Sequence, residues 1–113
     1  MLIERKEVLN EDGSIGYVEA IFDSDNILKV TYFPARNLLY IAFNRGHTYS
    51  YGNVSPELYE EFEEAESQGK FFHQRLNNKS KYPCRKEFTL YPYEVNDAKK
   101  IIEENKTEEE EDE

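Results

Sequence analysis

Six basic side chains, Lys70, Arg75, Lys79, Lys81, Arg85 and Lys86, fall between positions 70 and 86 with no carboxylate among them. Phe71, Phe72 and Tyr82 are interleaved with these bases. Positive charge alternating with aromatic rings suits a phosphate backbone and unstacked bases. Arg75 and Arg85 carry planar forks for bidentate phosphate contacts, while the lysines act as point charges. Tyr49 and Tyr51 form a second candidate, because alternate positions of a strand share a face. Exposed rings there would stack bases at ~1–3 kcal/mol each. The bland alternative is that Tyr49 and Tyr51 pack on a helix and that Phe71 and Phe72 anchor their segment to the core.

The acidic residues suggest a different partner. Glu57, Glu60, Glu61 and Glu64 would line one helix and meet a basic protein surface, or imitate a nucleic-acid backbone. More simply, such a run is a solvated face. The formal net charge is -10, and residues 101–113 hold eight acids against one lysine. The rest of the chain is therefore close to balanced, so the total conceals a dipolar layout. Two partner classes follow: RNA through residues 70–86, or a basic protein through the acidic surface.

Catalytic signals are weak. His47, His73, Ser80 and Cys84 have no spacing that pairs a nucleophile with a base. No histidine pair or carboxylate loop has metal-ligand spacing, and no glycine loop cradles phosphate. The lone Cys84 excludes an intramolecular disulfide and fits a reducing compartment. No apolar run is long enough for a membrane span, and the first eight residues do not resemble a secretory signal. The expectation is a non-enzymatic cytoplasmic protein without metal or cofactor.

The elements that must position these residues centre on residues 38–51. Leu39, Ile41 and Phe43 alternate with Leu38, Tyr40 and Ala42, and Gly46 suits the turn before His47–Tyr51. A preceding strand over 27–33 would place Leu28, Val30 and Tyr32 on one side, completing a meander. Ser55-Pro56-Glu57 reads as a helix start, with Leu58, Phe62 and Ala65 as its apolar stripe. Residues 70–76 suggest a shorter second helix. Ahead of this unit, residues 3–9 and 15–22 suggest a hairpin, and 87–93 suggests a last strand at the edge because of Pro92. The expected fold is α+β: a small antiparallel β-meander with one main helix and a short second helix on one sheet face. The expected layout is an N-terminal extension over 1–25 with an added hairpin, a compact domain over 26–83, a C-terminal extension over 84–100 and a disordered acidic tail over 101–113.

The run from Asn26 to Tyr82 resembles the KTSC domain. The resemblance rests on Leu39-Tyr40-Ile41-Ala42-Phe43, Gly46, the family's tyrosine-any-tyrosine signature at Tyr49-Ser50-Tyr51, and Asn53-Val54. Tyr59, Phe62, Ala65, Ser67, Gly69, Phe71-Phe72 and Tyr82 continue it. That domain is named for its occurrence at the C-terminus of some lysyl-tRNA synthetases, and it also occurs as a free-standing small protein in bacteria and phages. The attachment of that domain to a synthetase suggests RNA binding.

Overall fold

The computed structural model describes residues 1–111, with side chains described through Asn105. Six strands form one antiparallel sheet in chain order: β1 (Leu2–Leu9), β2 (Ile15–Phe22), β3 (Ile27–Phe33), β4 (Leu38–Phe43), β5 (His47–Tyr51) and β6 (Cys84–Thr89). Connections of a few residues make each of the first five strands a neighbour of the next. Leu39 lies opposite Tyr51 and Ile41 opposite Tyr49, so the alternation read from residues 38–51 is the register of the β4–β5 hairpin.

One face of the sheet carries the main core. Val18, Ala20, Phe22, Val30, Tyr32, Leu39, Ile41 and Tyr51 project into it. Helix α1 (Pro56–Glu64) lays Leu58, Tyr59 and Phe62 against them. The Ser55 hydroxyl accepts the Leu58 N–H at 3.2 Å, and Pro56 occupies the first helical position, where its missing donor is harmless. At the other end, the fully buried Gln68 amide donates to the Ala65 carbonyl at 2.7 Å and the Phe62 carbonyl at 3.3 Å. It thereby satisfies acceptors that a helix end leaves open. Gln68 opens a short helix, α2 (Gln68–Phe71), which continues as a π-helical turn over Phe72–Leu76. Tyr32 and Tyr59 stack at 4.3 Å with 7° between their planes. The Tyr32 hydroxyl donates to the Val54 carbonyl at 2.8 Å, which fixes where the chain leaves the sheet for α1.

The expected arrangement of one main helix and a short companion on a single face is incorrect. A third helix, α3 (Pro92–Glu111), packs against the opposite face. Val95, Ala98 and Ile102 form its stripe and enclose Leu28, with Ile3, Ile21 and Leu90 at the margin. Pro92 is not a strand residue: it opens this helix, and the Glu94 carboxylate accepts the Tyr91 N–H at 2.8 Å. Leu28 also departs from expectation. The register of β3 on β4 slips between Ile27 and Lys29, so Leu28 turns away from Val30 and Tyr32. Ile101 and Ile102, assigned to the start of the acidic tail, lie within α3, and Ile102 is buried. Asp112, Glu113 and the side chains of 106–111 lie outside the described residues, and so does that much of the tail expectation. Among the described residues no helix is long and apolar enough to cross a membrane.

Two predictions follow from this packing. Gly46 has φ +95°, and an added Cβ would meet Val95 Cγ2 at 3.1 Å and Leu90 Cβ at 3.3 Å. Gly46→Ala should therefore cost about 1–3 kcal/mol in urea unfolding, and a change within about 0.5 kcal/mol would contradict the close docking. The second concerns alkali. Burial raises the Tyr32 pKa from 10.0 to about 12, helped by the Glu57 charge. Burial also pushes Tyr51 and Tyr59 upward, with Cys84 and Glu63 respectively as further causes. Raised tyrosine values stabilise the fold fully below pH 10.0, and that contribution fades as pH climbs through the folded-state values. Tyrosinate absorbance should reach its plateau only as helical circular dichroism is lost. A plateau reached while the helices remain would contradict it.

Candidate nucleic-acid interface

The basic segment is held by local chemistry at both ends. Ser67 caps α2 by accepting the Lys70 N–H at 3.2 Å. Phe72 and Leu76 then bury themselves one turn apart. Beyond them the Asn78 side chain accepts the N–H groups of Ser80 at 3.1 Å and Lys81 at 3.2 Å, a tight asparagine turn. The Gly52 N–H reaches the Pro83 carbonyl at 2.9 Å, and β6 then pairs with β5. Residues 70–86 thus pass from the helical layer to the sheet edge.

All six predicted bases are exposed. They differ in what else they do. Arg75 is engaged: its Nη2 lies 3.1 Å from Glu61 and its guanidinium 5.2 Å from the Phe71 ring centre. The Lys81 ammonium sits 5.6 Å from the Tyr82 ring centre. Lys70, Lys79, Arg85 and Lys86 form no ion pair among the described residues. Lys86 lies directly opposite Tyr49 in the β5–β6 register, and Arg85 opposite Ser50.

The three tyrosines separate. Tyr51 is only 5% exposed and Tyr82 only 7%, so neither offers a free ring face. Tyr51 packs edge-on against Phe72 at 5.4 Å with its hydroxyl beside Cys84. Tyr49 is half-buried, edge-on to Phe43 at 6.0 Å. It lines a recess of about 190 Å³ with Lys79, Asn77, Tyr82 and Cys84. The structure therefore gathers Tyr49, Tyr51, Lys79 and Tyr82 from the predicted set around one recess, sets Lys86 opposite Tyr49 on the next strand, and adds Asn77, which the pattern of charges did not single out.

The acidic alternative keeps its geometry. Glu57, Glu60, Glu61 and Glu64 are all exposed on α1, with Glu61 tied to Arg75. The residues considered for catalysis do not assemble. His47 and His73 line one recess, Cys84 lines another, and the His47 ring reaches Thr89 at 3.3 Å. Among the described residues no group of three or more His, Cys, Asp or Glu could hold a metal ion.

One surface was missed. On the face that carries α3, rings run across the sheet from Tyr17 to Phe33 at 5.5 Å, to Tyr40 at 5.8 Å and to Phe88 at 6.5 Å. The last step passes over the small Thr48 and Ser50 of β5. Phe33, Tyr40 and Phe88 of this row border an open groove of about 360 Å³. The signal was present in strand alternation, which sets Tyr40 opposite in sense to Leu39 and Ile41, but nothing in it says how far a helix covers that face.

The comparisons with known proteins agree with this architecture. The family model for the KTSC domain matches residues 23–82, which contain β3 to β5, α1, α2 and the π-helical turn. Strands β1, β2 and β6 and helix α3 lie outside it. Among solved structures the chain is similar to a KTSC domain protein of Yersinia pestis, with 31% identity and a TM-score of 0.57 over 62% of this chain and 96% of that one. No curated protein matches the chain. With the family pattern spanning the central meander and both helices of the main core, the chain belongs to the KTSC domain family.

Proposed function

We propose that the protein is a non-catalytic module that binds single-stranded RNA along residues 70–86. The observation that carries this reading is the recess at Tyr49, where Lys79 lines the half-buried ring and Lys86 stands opposite it in the strand register, neither ammonium holding an ion pair among the described residues. A base edge or face enters beside Tyr49, and the neighbouring phosphates meet Lys79, Lys86 and the exposed Lys70, Lys81 and Arg85. Arg75 contributes less, because one of its guanidinium nitrogens already pairs with the Glu61 carboxylate. The overall negative charge opposes binding, so the interaction depends on a local patch and is strongest at low salt. A second reading uses the exposed glutamates Glu57, Glu60 and Glu64, which hold no ion pair among the described residues, against a basic protein.

Fluorescence anisotropy with a labelled single-stranded RNA separates the two. The pair Lys79→Gln and Lys86→Gln should weaken binding and flatten the dependence of log K on log salt by about 1.4, at roughly 0.7 per lost phosphate contact. Tyr49→Leu should lower affinity about fivefold or more at unchanged salt slope, with a melting curve to verify folding. Absence of RNA binding at low salt would overturn the reading and leave the acidic surface, tested by recovery of a stoichiometric partner after nuclease treatment.

A further inference from the structure

The groove on the α3 face has a lining unlike the Tyr49 recess. Phe33, Tyr40 and Phe88 supply rings, and Glu19, Glu87 and Glu94 supply carboxylates around them. Lys29 is the one base in the lining, and it forms no ion pair among the described residues. Phe88 is 52% exposed although it lies in this apolar row. The Ser50 hydroxyl donates to the Glu87 carboxylate at 2.7 Å and holds it at the groove's border. The Glu94 carboxylate is fixed by the Tyr91 N–H at the start of α3. Ring faces attract cations through their quadrupole, and fixed carboxylates beside them add direct attraction. The ring row already takes one such group from its own chain, since the Arg36 guanidinium lies 6.0 Å from the Phe33 ring centre.

We infer that this groove docks a basic segment of a partner protein, with an arginine or lysine side chain laid over the Tyr40–Phe88 rings between Glu19, Glu87 and Glu94. The charge of the lining decides the occupant. Three carboxylates against one lysine repel a phosphate backbone and attract a guanidinium or ammonium. The apolar floor of Ala42 and the rings accepts the aliphatic stem of that side chain. The Tyr49 recess and this groove lie on opposite faces of the sheet, so a side chain docked here leaves the Tyr49 ring open.

The test uses the full chain and a capped hexapeptide alternating arginine and leucine, followed by calorimetry. The peptide should bind, and its glutamate–leucine counterpart should not. Phe88→Ala should weaken binding about fivefold or more, and Glu87→Lys about tenfold or more. Glu66→Lys makes the same charge change between α1 and α2 and should leave affinity within about twofold, which separates the groove from general attraction to an acidic protein. Both groove positions are exposed, and thermal melts would check that each variant folds. Absence of peptide binding would overturn the inference, as would equal effects of Glu66→Lys and Glu87→Lys or binding of the glutamate peptide. A dimer in sedimentation that Phe88→Ala dissociates would assign the face to a second copy instead. Loss of RNA binding in Phe88→Ala would assign it to nucleic acid. Either result would also overturn the inference.

Discussion

A sheet has two faces, and the described part of this chain lacks enough helix to cover both. Strands β2 to β5 are apolar enough in both directions to need cover, because side chains alternate with a period of two. Helices α1 and α2 cover most of one face, and Phe22, Leu39, Ile41 and Phe62 reach zero exposure there. On the other face α3 closes over Leu28 with Val95, Ala98 and Ile102. The rings of Phe33, Tyr40 and Phe88 remain beyond it, only partly covered. Full burial of such a ring is worth about 1.5–3 kcal/mol, so each half-open ring leaves part of that gain available to a partner.

Charge is divided along the same lines. The basic residues cluster where the chain crosses from the π-helical turn to β6, while carboxylates occupy α1 and the groove on the opposite face. At physiological salt, screening acts over about 8 Å, so each surface presents mainly its own sign rather than the net value. A total of -10 is therefore a poor guide to what either face attracts. Arg75 shows the boundary between the regions, since its guanidinium is shared between Glu61 of α1 and the Phe71 ring.

Much of the fold was legible because its signals are local. Strand alternation, the Gly46 turn and the Ser55-Pro56 start of α1 each follow from backbone chemistry within a few residues. The KTSC resemblance covered the same central unit. The full extent of helix α3 was hidden because its stripe holds only Val95, Ala98 and Ile102 among charged neighbours, and because its partner Leu28 reaches that face through a register slip. Regular alternation cannot reveal a bulge. The site was less legible for a related reason: a tyrosine has the same letter whether its ring is open or covered. Tyr49 keeps an accessible side, while Tyr51, two residues later, disappears against Phe72, and Tyr82 closes the core from outside. Tertiary cover, rather than residue type, decides which rings and bases remain available.

The proposed division of labour gives the sheet's two faces different chemistry, with single-stranded RNA at the Tyr49 recess. The most direct measurement is a heteronuclear NMR titration of the full chain with single-stranded RNA. The account predicts that shifts concentrate at Tyr49 and from Asn77 to Lys86 and leave Phe33 and Tyr40 unmoved. Shifts centred on the Phe33–Tyr40–Phe88 row, or none at low salt, would contradict it.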